Sequence, residues 1–256
     1  MIKITLARLH QKHRTIRYPD APPPPLPDRL RGRPLFDAAR CQGSCQLCAE
    51  SCPTGAIEFT ADHKPRVDLG KCLFCNDCVQ ACPQHAIRHS NDYRLAASRR
   101  EELVVEEGQA LQWAHELGKD LKRLLGRSLK LRQVSAGGCN ACEADVNVLG
   151  TVGWDLGRFG IQFVASPRHA DGVLITGPVT QNMQSALMDT YRAVPNPKIV
   201  IAVGACAIAG GPFVDHAEVN NGVTNLLPVD LFIPGCPPHP LTILDGLLRL
   251  LGRVKD

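Results

Sequence analysis

Residues 72–83 read CLFCNDCVQACP and residues 41–53 read CQGSCQLCAESCP. The later stretch has the spacing C-x2-C-x2-C-x3-C-P; the earlier one carries a single extra residue in its first gap. Laid on one another they form an internal repeat. Cys45/Cys75, Cys48/Cys78 and Cys52/Cys82 are each 30 residues apart, as are CPTGAI and CPQHAI, and only Cys41/Cys72, at 31, absorbs the difference. A 4Fe–4S cube needs four thiolates converging on it. Three cysteines on a tight loop can each take one corner, and in paired motifs of this spacing the cysteine before the proline serves the other loop's cluster. The spacing therefore predicts one site from Cys41, Cys45, Cys48 and Cys82, and a second from Cys72, Cys75, Cys78 and Cys52. Two four-cysteine zinc sites are the weaker reading, because zinc modules usually set their CxxC pairs a dozen or more residues apart.

Of the 12 cysteines in this 256-residue chain, these motifs leave Cys139, Cys142, Cys206 and Cys236. From residue 129 short apolar stretches alternate with helical patterns. LKLRQV (129–134), IQFVAS (161–166), GVLITG (172–177), KIVIAVGAC (198–206) and VDLFIPGC (229–236) read as strands, while EADVNVLG (143–150), QSALMDTYRAV (184–194) and LTILDGLLRLLG (241–252) read as helices. Continuous apolar strands alternating with helices predict a parallel sheet covered on both faces, whose ligands sit beyond the carboxyl ends of the strands. All four remaining cysteines lie just past such ends, so three separate loops converge and predict a third four-cysteine site. Gly137, Gly138, Gly204 and Gly235 let the backbone approach it closely. A thioredoxin-like dithiol would use Cys139 and Cys142 but leave the other two idle.

The start, MIKITLARLHQKHRTIRYPD, has no uninterrupted apolar segment or small-residue cleavage site of an export signal. The longest apolar run, IVIAVGACAIAG (199–210), is 12 residues against the roughly 20 of a spanning helix. The expected setting is a reducing cytoplasm, where clustered cysteines mean metal or redox chemistry. Charge is uneven. Residues 1–40 carry nine Lys/Arg and three Asp/Glu (+6), and the remainder 20 against 22 (−2), giving the net +4. PDAPPPPLPDRLRGRP (19–34) is too rich in proline for a helix or central strand. This basic arm is expected to run extended over another surface, either a partner protein or acidic lipid headgroups, or to remain a solvated leader. With 5% aromatic residues and a slightly acidic body, nucleic acid is not expected as a partner.

GGCNACEADV, TGPVT (176–180), VGACAIAGG (203–211) and PGCPPHP (234–240) resemble the 20 kDa (B) subunit of NADH–quinone oxidoreductase and the small subunit of nickel–iron hydrogenases. Quinone-reducing members have adjacent cysteines at the first ligands. Cys139-Asn-Ala-Cys142 is the hydrogenase form, and LGRSLKLRQVSAGGCNACEADV (125–146) is similar to the start of a formate-hydrogenlyase small subunit. Residues 1–95, with IRYPDAP and RGRP ahead of the first motif, resemble the dicluster-ferredoxin subunit of those complexes. Two features depart from the resemblance: the subunits are ordinarily separate chains, and CQGSC is one residue longer than the usual first loop. Together they suggest a side branch with a differing physiological partner.

The expected organisation is a basic arm (1–35), an α+β ferredoxin-like dicluster domain (36–95), a helical linker (96–126) and a flavodoxin-like α/β domain with a mostly parallel sheet (127–256). In the linker, Leu117, Leu121, Leu124 and Leu125 fall at helical spacing with Gly126 as C-cap, and Trp113 and His115 are expected to be structural. Arg168 and His169 resemble a family segment near the large-subunit contact, though lone residues of this kind are more often structural. No catalytic centre is evident, and the family places nickel ligands on the large subunit. The resemblance thus implies a three-cluster electron wire. Electrons would enter through the dicluster domain, cross to the Cys139/Cys142/Cys206/Cys236 cluster and leave to a partner's nickel–iron site, or run in reverse. Its expected partners are a nickel–iron large subunit or homologue, membrane subunits, and a soluble donor such as a formate dehydrogenase or ferredoxin. It would sit peripherally on the inner face of the cell membrane. Two alternatives stand beside this: the equivalent subunit of a nickel-free respiratory complex reducing quinone or another acceptor, and a free-standing ferredoxin-like carrier.

Overall fold

The computed structural model describes residues 2–12, 14–41, 44–126 and 128–254. Gln42 and Gly43, within the lengthened first cysteine loop, lie outside these residues, as does Arg127 at the expected start of the second domain. After α1 (Ile2–Gln11) and β1 (Pro34–Phe36), each cysteine motif builds the same small unit. The first gives α2 (Leu47–Glu50) and, past CPTGAI, β2 (Ile57–Phe59), which pairs antiparallel with β3 (Pro65–Asp68). The second gives α3 (Asp77–Ala81) and, past CPQHAI, β4 (Ile87–His89), which pairs antiparallel with β1. The sequence repeat is thus a structural repeat, with α2 packed on α3. Ala56, Ile57, Ala86 and Ile87, equivalent across the 30-residue offset, are all buried.

The expected helical linker is helical only at its end. Ala97 bridges Phe232, Arg100–Leu103 form a 3-10 turn, and β5 (Val104–Glu106) adds a third strand to the β2–β3 sheet. The remaining helix is α4 (Lys119–Leu125), closed by Gly126. Two forces override the helical pattern. Leu103 and Val105 are buried in the core shared with the cysteine units, and β-branched Val104–Val105 suits a strand. Further on, the backbone donors that a helix would use are spent on other segments: Ala114 N–H on Ala96 O (2.8 Å) and Leu117 N–H on Leu250 O (2.9 Å). Trp113 lies under the guanidinium groups of both Arg94 and Arg249, each 4.5 Å from its ring centre.

The second half matches the expected architecture. β6 (Leu129–Ser135), α5 (Ala141–Val148), β7 (Ile161–Phe163), β8 (Gly172–Thr176), α6 (Gln181–Ala193), β9 (Ile199–Val203), α7 (Ala205–Ala209), β10 (Leu231–Ile233) and α8 (Pro240–Leu250) follow in order. The five strands are all parallel, in the order β10-β9-β8-β6-β7. Alternation along the strands feeds two cores. Val173, Ile175, Val200 and Ala202 face α6, α7 and the cysteine units, while Leu129, Leu131, Leu174, Ile199 and Ile201 face α5 and α8. Among the described residues no helix is long and apolar enough to cross a membrane.

The proline-rich arm is extended and runs over the chain's own body. The Ile16 amide donates to Gly153 O (2.8 Å), Arg158 to Tyr18 O (2.7 Å), Arg31 to Phe74 O and Cys75 O (2.9 and 2.8 Å), and the Gly32 amide to Ser90 O (2.8 Å). Tyr18 is buried, and its hydroxyl donates to Asp245 of α8 at 2.6 Å. An apolar anchor with a satisfied hydroxyl outweighs the solvation of a free leader.

Candidate metal centres

Cys41, Cys45, Cys48 and Cys82 line one cavity; Cys52, Cys72, Cys75 and Cys78 line another. The exchange follows from local geometry. Cys48 and Cys78 sit within α2 and α3, whereas Cys52 and Cys82 follow those helices and reach past the helix pair to the opposite cavity. The Ala56 and Ala86 amides donate to the sulfurs of Cys52 and Cys82 at 3.2 and 3.3 Å, and the Phe74 amide to that of Cys72 at 3.3 Å. Phe74 and Asn76 take positive φ (54° and 92°), folding the second loop so that its cysteines turn inward.

Cys139 and Cys142 follow β6, Cys206 follows β9 and Cys236 follows β10, so the parallel sheet delivers all four to one edge. β6 is where the chain turns from β7 on one side to β8 on the other, the switch point at which such sheets open a crevice. Burial, and after it neighbouring cysteines of this group, raises the thiols of Cys142, Cys206 and Cys236. Gly204 must lack a side chain, since a Cβ there would stand 2.5 Å from the Cys142 sulfur, and its φ of +89° is one that L side chains rarely adopt. The Cys236 thiol is raised by burial, then by Cys139, and least by Cys75.

Burial, then neighbouring cysteines, raises the thiols of Cys48, Cys72, Cys78, Cys142 and Cys206. Cys48 and Cys78 are pushed up to about 11, and Cys72 and Cys206 to about 12. Cys142 is raised furthest, by burial, then by Cys206 and Glu143. Such thiols stay protonated unless a thiophilic cation displaces the proton. Among the described residues no three His, Cys, Asp or Glu side chains close around a point as ligands of one ion; the thiols line cavities instead. The donors are soft sulfurs. Nε2 of His89, lining the Cys52–Cys78 cavity, is buried with no partner among the described atoms, while its Nδ1 bonds Gly32 O at 2.9 Å. An orphaned polar atom on a thiol-lined cavity calls for a polar guest. These residues fit iron–sulfur clusters.

Other residues do not join the cysteine groups. Arg168 and His169 are exposed on a 3-10 turn after β7, and Trp113 packs between arginines. Sequence reasoning missed Glu143. This buried carboxylate accepts from Ser135 Oγ and Thr176 Oγ1, each at 2.6 Å, tying the carboxyl ends of β6 and β8 to the first turn of α5. Its signal was an acid directly after Cys142. His89 was missed too, its only mark being a place at the end of the second repeat.

A two-unit iron–sulfur fold joined to a parallel α/β sheet with cysteines at its strand ends defines a class of redox subunits. The profile described as 4Fe-4S dicluster domain matches residues 40–86, and that described as NADH ubiquinone oxidoreductase, 20 Kd subunit, matches residues 139–250. The probable membrane-bound hydrogenase subunit mbhJ of Pyrococcus furiosus is 41% identical over 134 residues, covering 52% of this chain and 80% of that one. A subunit of the NADH-quinone oxidoreductase of Heliobacterium modesticaldum is 41% identical over 120 residues, covering 46% and 69%. Formate hydrogenlyase subunit 7 of Escherichia coli is 43% identical over 136 residues; the match covers 53% of this chain and only 53% of that relative. The chain belongs to the NADH ubiquinone oxidoreductase 20 kDa subunit family and carries a 4Fe–4S dicluster domain ahead of it. Its relatives are, by name, subunits of hydrogenase and NADH–quinone oxidoreductase complexes.

Proposed function

We propose that the chain is the electron-transfer subunit of a membrane-associated nickel–iron hydrogenase of the formate-hydrogenlyase type, without a catalytic centre of its own. The observation that carries the reading is that Cys41, Cys45, Cys48 and Cys82 line one cavity and Cys52, Cys72, Cys75 and Cys78 another, while Cys139, Cys142, Cys206 and Cys236 all follow strand ends at one edge of the parallel sheet. Cys41, Cys45, Cys48 and Cys82 would hold one 4Fe–4S cluster, Cys72, Cys75, Cys78 and Cys52 a second, and Cys139, Cys142, Cys206 and Cys236 a third. When bound, these clusters supply one-electron transfer. The chain's own residues do the rest. Amides of Phe74, Ala56 and Ala86 point at ligand sulfurs, Arg31 fixes the Cys75 loop, and Glu143 fixes the start of α5. The exposed rim at Cys139 and Cys236 leaves the third site open to a large subunit.

Partners on this reading are a nickel–iron large subunit or its homologue, membrane subunits, and a soluble donor such as a formate dehydrogenase or ferredoxin, with the chain peripheral on the inner face of the cell membrane. The CxxC at Cys139 and Cys142 supports the hydrogenase form over a quinone-reducing one. Anaerobically purified protein is expected to hold about twelve iron and about twelve acid-labile sulfide per chain, four of each per cube. Zinc in their place, or about eight iron with Cys139 open to alkylation in the folded protein, would overturn the three-cluster reading.

Cross-ligation has its own test. Cys82→Ser is expected to damage the cluster of Cys41, Cys45 and Cys48 while sparing that of Cys72, Cys75 and Cys78. Electron paramagnetic resonance resolving the two decides it, and damage confined to the second would show the assignment wrong.

A further inference from the structure

α1 is the exception in an otherwise packed chain. None of its residues is buried: Ile2, Ile4, Leu6 and Leu9 are 78, 75, 59 and 70% exposed. On a helical wheel Ile2, Leu6 and Leu9 fall within an arc of about 60°, with Ile4 on the far side. Lys3 and His10 flank this stripe on one side and Arg8 on the other. Residues 2–19 contain Lys3, Arg8, Lys12, Arg14 and Arg17 and no Asp or Glu. The segment leaves the body where Thr15 Oγ1 donates to Val152 O (3.0 Å), and Val152 is itself 71% exposed. The arm that follows is pinned to the body at Ile16, Tyr18 and Arg31, so its packing does not extend to α1.

We propose that α1 is an interfacial helix that lays Ile2, Leu6 and Leu9 into a bilayer surface of anionic lipid, with its basic residues on the headgroups. The occupant follows from the chemistry. Acid-free positive charge beside a narrow apolar stripe complements anionic headgroups, and ten residues lie on a membrane rather than cross it. A three-residue stripe binds weakly alone, and the cations supply the second attraction that stable association needs. The chain would thus touch lipid directly, whatever its redox partner, and the inference stands independently of the cluster count.

The test is flotation of the full, cluster-loaded chain with vesicles of phosphatidylcholine alone or containing about one-third phosphatidylglycerol. The parent is expected to float with the anionic vesicles and not the neutral ones, and to be released as salt rises from about 0.1 to about 1 M. Leu6→Asp combined with Leu9→Asp should abolish flotation, and Arg8→Glu should weaken it about tenfold. Because α1 touches no core, iron content should remain at the parent's value in all variants, which separates lost lipid binding from misfolding. Equal binding to neutral vesicles, or flotation surviving the double substitution, would overturn the proposal. So would a parent that ignores both vesicles while the double variant fails to co-purify with membrane subunits, since the stripe would then serve a protein.

Discussion

Asp245→Ala is expected to lower the stability of the folded chain by about 3–5 kcal/mol, a large share of the 5–15 kcal/mol typical of a domain. Asp245 is wholly buried in α8. One oxygen accepts from the Tyr18 hydroxyl at 2.6 Å, and the other from Arg249 Nε at 2.9 Å, with Arg249 itself only 6% exposed. Burial raises the Asp245 carboxyl against the opposing pull of Tyr18 and Arg249, so the ion is held at a desolvation cost that only its partners offset. Removing the carboxylate takes one counter-charge from a buried guanidinium and frees the hydroxyl that anchors the arm. Replacing the three together, Tyr18→Phe with Asp245→Leu and Arg249→Met, should recover much of the loss, because a buried ionic group exchanged whole for apolar side chains is often neutral. Denaturant titration of the cluster-loaded protein measures both. A single variant within about 1 kcal/mol of the parent would show that the triad is not the keystone of this face.

The second large effect is functional. Cys206→Ser is expected to leave the clusters of the dicluster domain intact yet cut donor-linked turnover of the assembled complex by more than about 100-fold. Cys206 is buried at the head of α7, and Gly211 packs so closely that a Cβ there would lie 2.7 Å from its sulfur. A hydroxyl is a harder and weaker donor to iron than a thiolate. Hydrogen production measured with a strong soluble reductant and with the physiological donor separates the routes: activity with the donor should vanish even where the partner still turns over artificially. Donor-linked activity that survives loss of this one site would falsify the relay reading. Four thiolates on an oxidised cube leave about −2 of charge, and burying it needs compensation. The acid beside these thiols, Glu143, has the wrong sign, which makes a covering large subunit the natural source of shielding.

The cysteine spacing and the strand-to-cysteine runs carry local information, and the structure follows them closely. KIVIAVGAC (198–206) contains β9, and VDLFIPGC (229–236) contains β10, each ending just short of its cysteine. What the sequence conceals depends on partners far along the chain. REELVVEE looks helical by charge, yet Val104–Glu106 pairs with a strand some forty residues earlier. Tyr18 looks like one residue of a leader until Asp245, 227 residues on, accepts its hydroxyl. Glu143 reads as a surface acid of α5 because Ser135 and Thr176, at two strand ends, reveal its burial only in three dimensions. The stripe of α1 is written in the spacing of Ile2, Leu6 and Leu9, but only the surrounding fold shows that none of the described residues buries it.

The linker strand β5 also bears on how the two halves of the chain depend on one another. Its Val105 pairs with Val67 in the cysteine units, while Ala97, eight residues earlier, bridges Phe232 in the parallel sheet. The junction is therefore a shared part rather than a tether. Severing it anywhere between these pairings strips a strand from one half or a bridge from the other, and exposes an edge prone to mispairing. The two halves are thus structurally interdependent, each completed by a piece of chain that the junction carries.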